Sequence, residues 1–457
     1  MCRYHGVVTS TRSTSVSGEG RFELRKIAVV GLGYVGLPLA LSFLDAGLKV
    51  AGLDSSPERV GRLRRGDSPI DDVSDARLKD ALQNGFGVHG LAGAVVAASD
   101  MTVVCVPTPI SDAREPDLRH VVDAAQFVGN NLHPGQLVIL QSTTFPGTTT
   151  GPFRKALEAA SGLVAGEDFE IAFAPERANP GDPASSGRDV PRIVGGMTPS
   201  GTALAASAFR RVNANVVEVS SPDVAELAKL LENIFRNVNI ALVNQLALLC
   251  ERMGVDVWEV IDAAATKPFG FMPFHPGPGV GGHCIPIDPY YLAWRARQFG
   301  FVDRFVELAG DINMSMPRHV VDLVAEALNS RGLAVKGSRV GVLGTTFKSN
   351  VRDVRNAPAA DVIALLRRRG ATVTFHDPHV TAFRDADGRE SLSSDPLEML
   401  DGVDVTVVLV AHRDIDWDLV YERAELVVDT TNTSRGRVTR AGQVLLLGSG
   451  WVSGASA

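Results

Sequence analysis

The segment from Lys26 to Ala46 constrains the fold most strongly, because it has the pattern of a strand, a glycine-rich turn and a helix. KIAVV at 26–30 is a short apolar run of strand type, and GLGYVG follows at 31–36. A second apolar run, Lys49 to Leu53, ends at Asp54. Glycines in such a turn allow a pyrophosphate to approach the helix N-terminus, and an acid after the second strand can bind a ribose 2′-hydroxyl. The pattern predicts a dinucleotide site in a doubly wound sheet.

The dinucleotide is predicted to be NAD rather than NADP, because the carboxylate of Asp54 would repel a 2′-phosphate. A glycine-rich turn can also occur without a cofactor, so the context of the two strands carries the prediction. The expected contacts are Gly31, Gly33, Tyr34, Val35, Gly36 and Asp54.

Three further apolar runs extend the predicted sheet: Met101 to Val106, Leu137 to Gln141 and Phe169 to Ala174. Polar or turn residues follow each of them. Because the carboxyl ends of parallel strands meet at one edge of a sheet, we expect these residues to converge near the cofactor. They include Thr108, Thr143 and Glu176. Cys105 is expected to be a core residue inside its strand.

A long helix is predicted from Pro222 to about Gly254, with Ser221 as N-cap and proline at the first helical position. Lys229 and Asn233 are four residues apart and therefore share a face, with Arg236 about one turn further on. An ordinary charged helix surface would show the same pattern. The helix is long enough to join two domains.

The loop Gly277 to Asp288, GPGVGGHCIPID, holds Cys284 between glycines and prolines that exclude a helix interior. A free cysteine is often only a small buried apolar residue. The alternative is a thiol nucleophile, which a neighbouring NAD site and the polar pair on the long helix would favour.

The pattern of strand and turn returns in the last third of the chain. Arg339 to Leu343 leads into Gly344-Thr345-Thr346, and later apolar runs alternate with helical segments. This turn lacks GxGxxG, so it need not bind a dinucleotide, although Lys348 and Arg355 can bind phosphate or ribose. The predicted fold class is α/β, with two Rossmann-like doubly wound domains joined by a long central helix and a small helical domain.

Composition excludes several classes of protein. The formal charge of −7 disfavours broad nucleic-acid contact. The sequence contains no apolar run of the roughly 20 residues that a membrane-spanning helix needs, and residues 1–20 lack the apolar core of a secretory signal, so a cytoplasmic location is expected. The cysteines have no metal-ligand spacing, so no metal is predicted.

The domain boundaries follow from these patterns. We expect a disordered lead-in at 1–23, an NAD-binding domain at 24–220 and a central helical domain with the cysteine loop at 221–329. A second α/β domain at 330–447 and a loose tail at 448–457 complete the chain.

Several motifs, in this order, resemble the UDP-glucose/GDP-mannose dehydrogenase family. They are GLGYVGLP (31–38), VPTP (106–109), STTFPGTT (142–149), APER (174–177), AELAKLLENIFRNVNIALVN (225–244), GPGVGGHCIPIDP (277–289) and VLGTTFKSNVRDVRNAP (342–358). TKPFGFMPF at 266–274 and the cysteine loop resemble the branch that acts on UDP-N-acetylglucosamine, with UDP-N-acetylmannosamine dehydrogenases next. The last α/β domain is then expected to bind the UDP-sugar.

The resemblance implies NAD-dependent oxidation of a sugar C6 hydroxyl to a carboxylate in two steps, for a precursor of cell-surface polysaccharide. Cys284 matches the family nucleophile that captures the C6 aldehyde. The other implied catalytic residues are Lys229, Asn233, Asp288, Glu176 and Thr143. Arg59, Thr108, Thr143 and Arg355 are assigned to NAD. The nucleotide sugar is assigned to Glu176, Arg177, Lys229, Asn233, Arg236, Gly281 and Lys348. A homodimer or higher homo-oligomer, built on the long helix, is also implied.

The sequence departs from the family pattern at a few positions. Ile287 replaces a lysine found in UDP-glucose enzymes, Gln141 and Gln245 replace expected glutamates, and Thr345 and Thr346 replace smaller or apolar residues. Four alternatives therefore stay open: oxidation of UDP-N-acetylmannosamine, oxidation of UDP-glucose, a single oxidation with a structural Cys284, and a catalytically silent nucleotide-sugar sensor.

Overall fold

The computed structural model describes residues 24–111, 114–177 and 189–454. The predicted lead-in at 1–23 lies outside these residues. Two large sheets and a set of long helices make up the described chain, and this α/β architecture confirms the predicted fold class.

The first sheet has eight strands in the order β3-β2-β1-β4-β5-β6-β7-β8. Neighbouring strands are parallel except at β6 and β7. The outward order 3-2-1-4-5-6 is that of a doubly wound dinucleotide-binding sheet. Its strands are β1 (Lys26–Val30), β2 (Lys49–Leu53), β3 (Gly87–His89), β4 (Met101–Val104), β5 (Leu137–Leu140), β6 (Glu170–Phe173), β7 (Arg192–Gly196) and β8 (Val216–Val219).

Helices cover both faces of this sheet and bury two apolar clusters against it. They are α1 (Gly36–Asp45), α2 (Pro57–Arg65), α3 (Asp75–Gln83), α4 (Gly93–Ala97), α5 (Arg119–Gly129), a π-helical turn (Thr149–Phe153), α6 (Arg154–Ser161) and α7 (Pro199–Phe209). Strand β4 ends at Val104, so the prediction that Cys105 lies inside its strand is wrong. Its half-buried thiol packs at the edge of the core.

The long helix α8 (Pro222–Met253) has the predicted ends. The Ser221 hydroxyl accepts a hydrogen bond from the Val224 N–H, and Gly254 has the left-handed conformation that ends a helix. Helix α8 joins the two halves of the molecule, because Ala225 lies in a core of the first sheet and Leu248 packs against the core of the second. The other central helices are α9 (Val257–Ala265), α10 (Asp288–Arg297) and α11 (Arg304–Asn329).

The second sheet has the order β10-β9-β13-β14-β15-β16, and only its last pair is antiparallel. Its elements are β9 (Arg339–Leu343), α12 (Pro358–Arg368), β10 (Thr372–His376), α13 (Pro396–Gly402), β13 (Val405–Val408), α14 (Trp417–Arg423), β14 (Val427–Asp429), β15 (Val444–Leu446) and β16 (Gly450–Trp451). A small hairpin, β11 (Ala382–Arg384) and β12 (Glu390–Leu392), lies beside it.

The predicted loose tail at 448–457 is wrong for its first part. Gly450 and Trp451 form an edge strand on β15, and the Gly448 N–H donates a 2.8 Å hydrogen bond to Glu251 on α8. The Trp258 indole N–H also donates to the Leu447 carbonyl. Backbone pairing and these contacts with α8 and α9 order the segment. Residues 455–457 lie outside the described chain.

Candidate active site

The turn after β1 has the shape of a nucleotide cradle. Gly31 has a φ of 94°, and a Cβ there would lie 2.5 Å from the Cys105 carbonyl oxygen. A Cβ on Gly36 would lie 1.9 Å from the Gly31 oxygen. At Gly33, in contrast, a Cβ would meet no described atom within 4 Å. The protein backbone therefore requires two of the glycines, whereas the third borders open space in which a pyrophosphate fits.

Asp54 closes the far end of this turn. Its carboxylate accepts hydrogen bonds from the Leu32 and Ser56 N–H groups, each at 2.9 Å, and from the Arg59 guanidinium at 3.2 Å. The carboxylate is buried, whereas Arg59 lies on the solvent side with 42% of its side chain exposed. A carboxylate at this position suits a ribose hydroxyl, so the cradle fits NAD.

The second α/β unit contributes a residue to the same region. The Arg355 guanidinium lies 4.6 Å from the centre of the Tyr34 ring, and it pairs with Asp353. The His283 ring lies 6.4 Å from that of Tyr34. The predicted cofactor residues Tyr34 and Arg355 are therefore brought together beside the cysteine loop. Thr108 lies nearby, and its carbonyl accepts a hydrogen bond from the Tyr291 hydroxyl on α10.

The cysteine loop is held from two sides. At its start, the Gly277 N–H donates to the Asn244 side chain on α8 at 3.0 Å. Further along, the Gly282 N–H donates to the Arg355 carbonyl at 3.0 Å. Gly281 packs so closely on the turn after β9 that a Cβ would lie 2.7 Å from that of Phe347. Cys284 is therefore fixed between the central helices and the second α/β unit.

Four of the predicted residues form one polar centre. Asn233 donates a 2.5 Å hydrogen bond to the Asp288 carboxylate, and both side chains are buried. The Asp288 N–H donates to the Cys284 carbonyl at 2.8 Å, so cysteine and carboxylate lie at the start of α10. Lys229 is half buried one turn before Asn233 and acts on both groups through its charge.

Burial controls the ionisation of this centre. It raises the pKa of Cys284 to about 12, and the Asp288 charge adds to the rise, while Lys229, Arg355 and Arg236 oppose it. Burial also raises the pKa of Asp288 to about 7, against the opposing effects of Lys229 and the Asn233 hydrogen bond. The thiol is therefore protonated at rest, next to a carboxyl group that titrates near neutrality.

Glu176 and its neighbours lie at the carboxyl edge of the first sheet. The Glu176 carboxylate accepts hydrogen bonds from Gln141 at 3.3 Å and from Arg192 at 2.9 Å. Arg177 pairs with Glu232 on α8 at 2.7 Å. Thr143 is half buried in the loop after β5.

The two remaining predicted contacts with the nucleotide sugar lie on other elements. Arg236 is exposed on α8 and influences Cys284 through its charge. Lys348 lies in the turn after β9, where its carbonyl accepts a 2.8 Å hydrogen bond from the Thr346 hydroxyl.

Sequence reasoning missed a chain of buried asparagines under the cysteine loop. The Asn313 amide on α11 donates to the Asn237 side chain at 2.9 Å, and Asn244 donates to Asn313 at 3.0 Å. Asn244 in turn accepts from Gly277. A signal was present, because Asn233, Asn237 and Asn244 recur at helical spacing on α8. The network connects two long helices to the base of the loop.

Glu226 was also missed, although it anchors the loop that carries Thr143. Its fully buried carboxylate accepts hydrogen bonds from the Gly147 N–H at 2.7 Å and from the Thr149 N–H and hydroxyl at 2.9 and 2.7 Å. Glu226 lies three residues before Lys229 on α8, so it fixes this loop relative to the polar centre. Nothing in its local sequence distinguishes it from a surface glutamate.

Across the parts of the chain that the structure describes, no helix is both long enough and apolar enough to cross a membrane.

Comparison with known proteins identifies the family. Three models of the UDP-glucose/GDP-mannose dehydrogenase family match the chain: the NAD binding domain at residues 25–213, the central domain at 223–315 and the UDP binding domain at 341–435. Together with the NAD cradle and the cysteine centre, these matches define a nucleotide-sugar dehydrogenase that uses NAD as cofactor. The chain belongs to the UDP-glucose/GDP-mannose dehydrogenase family.

Individual relatives differ in substrate. The UDP-N-acetyl-D-glucosamine 6-dehydrogenase of Pseudomonas aeruginosa is 40% identical over 78% of this chain and 83% of its own length. The solved UDP-N-acetylmannosamine dehydrogenase of Pyrococcus horikoshii is 32% identical with a TM-score of 0.83, over 93% of this chain and 99% of its own. A UDP-glucose dehydrogenase structure from Pyrobaculum islandicum is 29% identical with a TM-score of 0.82, over 95% and 100%.

Proposed function

We propose that this enzyme oxidises the C6 hydroxyl of a UDP-N-acetylhexosamine, UDP-N-acetylglucosamine first among them, to the uronate in two steps through Cys284. The observation that carries the proposal is the single polar centre formed by Cys284, Asp288, Asn233 and Lys229. A one-step alcohol dehydrogenase has no need of a thiol beside its hydride-transfer site. The product would serve as a precursor of cell-surface polysaccharide.

In the first step the C6 alcohol loses a proton and a hydride to become an aldehyde. The turn after β1 and Arg355 would hold NAD, which would supply the hydride acceptor for both oxidations. The Lys229 ammonium and the Asn233 amide stabilise the negative charge that develops on the C6 oxygen. Asp288 accepts the proton, which its pKa of about 7 allows near neutral pH.

In the second step the Cys284 thiol adds to the aldehyde, and its proton passes to a base. The resulting thiohemiacetal loses a second hydride and becomes a thioester. Water, positioned by Glu176 and Thr143, then releases the acid and restores the thiol. One alcohol, two NAD⁺ and one water give one carboxylate, two NADH and three protons. Covalent capture keeps the aldehyde in the site between the two oxidations.

The nucleotide sugar is proposed to bind beside the contact between the cysteine loop and the turn after β9. We assign Lys348 and Arg236 to the pyrophosphate, to which they bring positive charge, and the Gly281 backbone and Arg177 to the same ligand. Preference for an N-acetylated sugar is supported by the TKPFGFMPF segment and by the relative that acts on UDP-N-acetylglucosamine.

The proposal is tested by NADH release from four substrates side by side: UDP-N-acetylglucosamine, UDP-N-acetylmannosamine, UDP-glucose and GDP-mannose. We expect two NADH per molecule of UDP-N-acetylglucosamine. Cys284→Ser should form no thioester and release uronate far more slowly. One NADH per substrate, or uronate formed by Cys284→Ser at the parental rate, would contradict the double oxidation.

The Asp288 carboxylate predicts a pH dependence. Because the pKa of this base is raised to about 7 and the ionised form is the active one, kcat should rise with pH through about 7. Asp288→Asn should lower kcat by about 10²-fold or more and remove that limb of the profile. Steady-state rates between about pH 5 and about pH 9 measure both effects. An unchanged acid limb in Asp288→Asn would assign the titration to another group.

We propose three structural units: an NAD-binding domain at 24–220, a central helical domain at 221–329, and a second α/β domain that begins at 330 and extends through β16.

A second copy of this chain is proposed to pack along α8, where large apolar side chains are exposed on one stripe: Leu227, Leu231, Phe235, Leu242 and Leu249. Leu231→Asp should convert a dimer to monomers in light scattering. The buried Leu230→Asp is no control because it would disturb the core, so exposed Glu259→Lys on α9 serves instead.

A further inference from the structure

A buried histidine lies under the turn after β9, outside the reaction centre. His412 follows β13, and neither its side chain nor that of Asp377 is exposed. The His412 Nε2 atom lies 3.2 Å from the Asp377 carboxylate and 3.2 Å from the Thr346 hydroxyl. On the other side of the ring, Nδ1 lies 3.0 Å from the backbone nitrogen of Asn350.

The partners of the ring define its protonation. The Asn350 N–H can only donate, so Nδ1 of His412 accepts and carries no proton. The Thr346 hydroxyl donates its single hydrogen to the Lys348 carbonyl, so its oxygen accepts from Nε2, as the Asp377 carboxylate does. His412 is therefore the neutral tautomer with its proton on Nε2. A second proton, on Nδ1, would set two donors against each other at Asn350.

These contacts bracket Lys348. Thr346 and Asn350 lie two residues before and two residues after it, and we name residues 346–350 the Lys348 loop. Asn350 has a φ of 61°, and its side-chain oxygen accepts a 2.9 Å hydrogen bond from the Arg413 N–H next to His412. The segment at 412–413 therefore fixes the loop at both ends.

We propose that His412 is a positioning residue that holds the Lys348 loop in the shape required by the nucleotide sugar. The inference rests on the proposed role of Lys348 in nucleotide-sugar binding. It also gives a role to Thr345 and Thr346, the two threonines that depart from the family pattern, since both bond to the group formed by Asp377 and His412.

In the described part of the chain, the titratable side chains of Asp377 and His379 contact the His412 ring. Burial raises the pKa of Asp377, but hydrogen bonds from His412 and from the Thr345 and His379 N–H groups outweigh it and lower the pKa overall. The His379 ring packs against His412 with centroids 4.8 Å apart, and its Nε2 pairs with Asp414 at 3.4 Å. Within the described residues the His379 side chain makes no hydrogen bond to the Lys348 loop, so it provides a matched control.

The test is the binding of UDP-N-acetylglucosamine, without NAD, by calorimetry near neutral pH. We expect His412→Gln to bind about tenfold more weakly near neutral pH, with NAD affinity unchanged. His379→Gln should keep the parental affinity for both ligands.

Two further variants keep the inference falsifiable if His412→Gln does not fold. Thr346→Val leaves the pair of His412 and Asp377 intact but removes the link to the Lys348 carbonyl, and should weaken binding severalfold. Lys348→Ala tests the assignment of Lys348 to the nucleotide sugar, on which the positioning role of His412 depends. If Lys348→Ala loses affinity while Thr346→Val, and His412→Gln where it folds, keep the parental affinity, the positioning role is overturned and the proposed function stands. If Lys348→Ala binds normally, the nucleotide-sugar site itself is misassigned.

Discussion

The turn after β1 and the turn after β9 are built from the same hydrogen bonds. Gly31 donates to the carbonyl of Leu53, and Gly344 donates to that of His376, at 2.8 and 3.0 Å. The next N–H in each turn donates to the acid that follows the neighbouring strand, which is Asp54 in the first unit and Asp377 in the second. Both glycines have a positive φ, 94° and 82°, and both press against a backbone carbonyl.

The two turns differ in what lies beyond this shared frame. Gly33 borders open space, whereas its counterpart Thr346 fills the position with a bonded side chain. Asp54 pairs with an exposed arginine, whereas Asp377 pairs with the buried His412. The same piece of backbone thus forms a cofactor cradle where the third position of the turn stays open. It forms an internal anchor where a bonded threonine fills that position and the acid pairs with a buried histidine.

The largest effect on stability is expected when a Cβ is added to the first glycine of either turn. Gly31→Ala and Gly344→Ala each place a Cβ within 2.5 or 2.6 Å of a carbonyl oxygen at a positive φ. Each should lower the free energy of unfolding by about 2 kcal/mol or more, from steric strain. Denaturant unfolding measures this loss, and Gly47→Ala, at positive φ but with no atom in reach, is the control. A tolerated Gly344→Ala would show that the two turns are not equivalent.

Replacing each acid by its amide distinguishes the role of Asp54 from that of Asp377. Asp54→Asn should weaken NAD binding about tenfold, because a hydrogen bond to a charged group contributes about 1.5 kcal/mol or more. Affinity for the UDP-sugar should stay constant. Asp377→Asn should show the reverse pattern, since it removes the anchor of His412. Titrations with NAD alone and with the UDP-sugar alone distinguish the outcomes. Loss of NAD affinity in both variants would contradict the separate roles of Asp54 and Asp377.

The smallest effect on stability is expected at the third position of the first turn. Gly33→Ala adds a methyl group where no protein atom lies within 4 Å, so the free energy of unfolding should change by less than about 0.5 kcal/mol. NAD affinity should nevertheless fall severalfold, because the methyl group enters the space proposed for the pyrophosphate. A variant that binds NAD like the parent would move the cofactor path away from Gly33.

Local patterns in the sequence were sufficient to predict the first glycine turn and the long helix α8. Strand β1, the glycine turn and Asp54 are contiguous or nearly so, and the ends of α8 are specified by Ser221, Pro222 and Gly254. These signals act through backbone conformation and short-range hydrogen bonds, so they can be recognised from the sequence alone. The sequence did not predict the short strands β3, β7 and β8 or the edge strand β16, because their pairing partners lie elsewhere in the chain.

The candidate site shows the same division. Its motifs predicted Cys284, Lys229, Asn233 and Asp288, and the tertiary structure brings them together. The supports of the site did not show in the sequence: Asn313 comes from another helix, and Glu226 bonds to a loop nearly eighty residues away. A buried polar group is recognisable only when its partners are known, since the same side chain on a surface would need none.

The sequence by itself determined that this chain forms two α/β units of the Rossmann type with a thiol between them, because glycine turns and apolar periodicity act locally. Only the tertiary structure decided which turn stays open at its third position and which commits its acid to His412. Residues 377 and 412 follow β10 and β13, the two strands that flank β9 in the sheet, and their fully buried side chains need each other as polar partners.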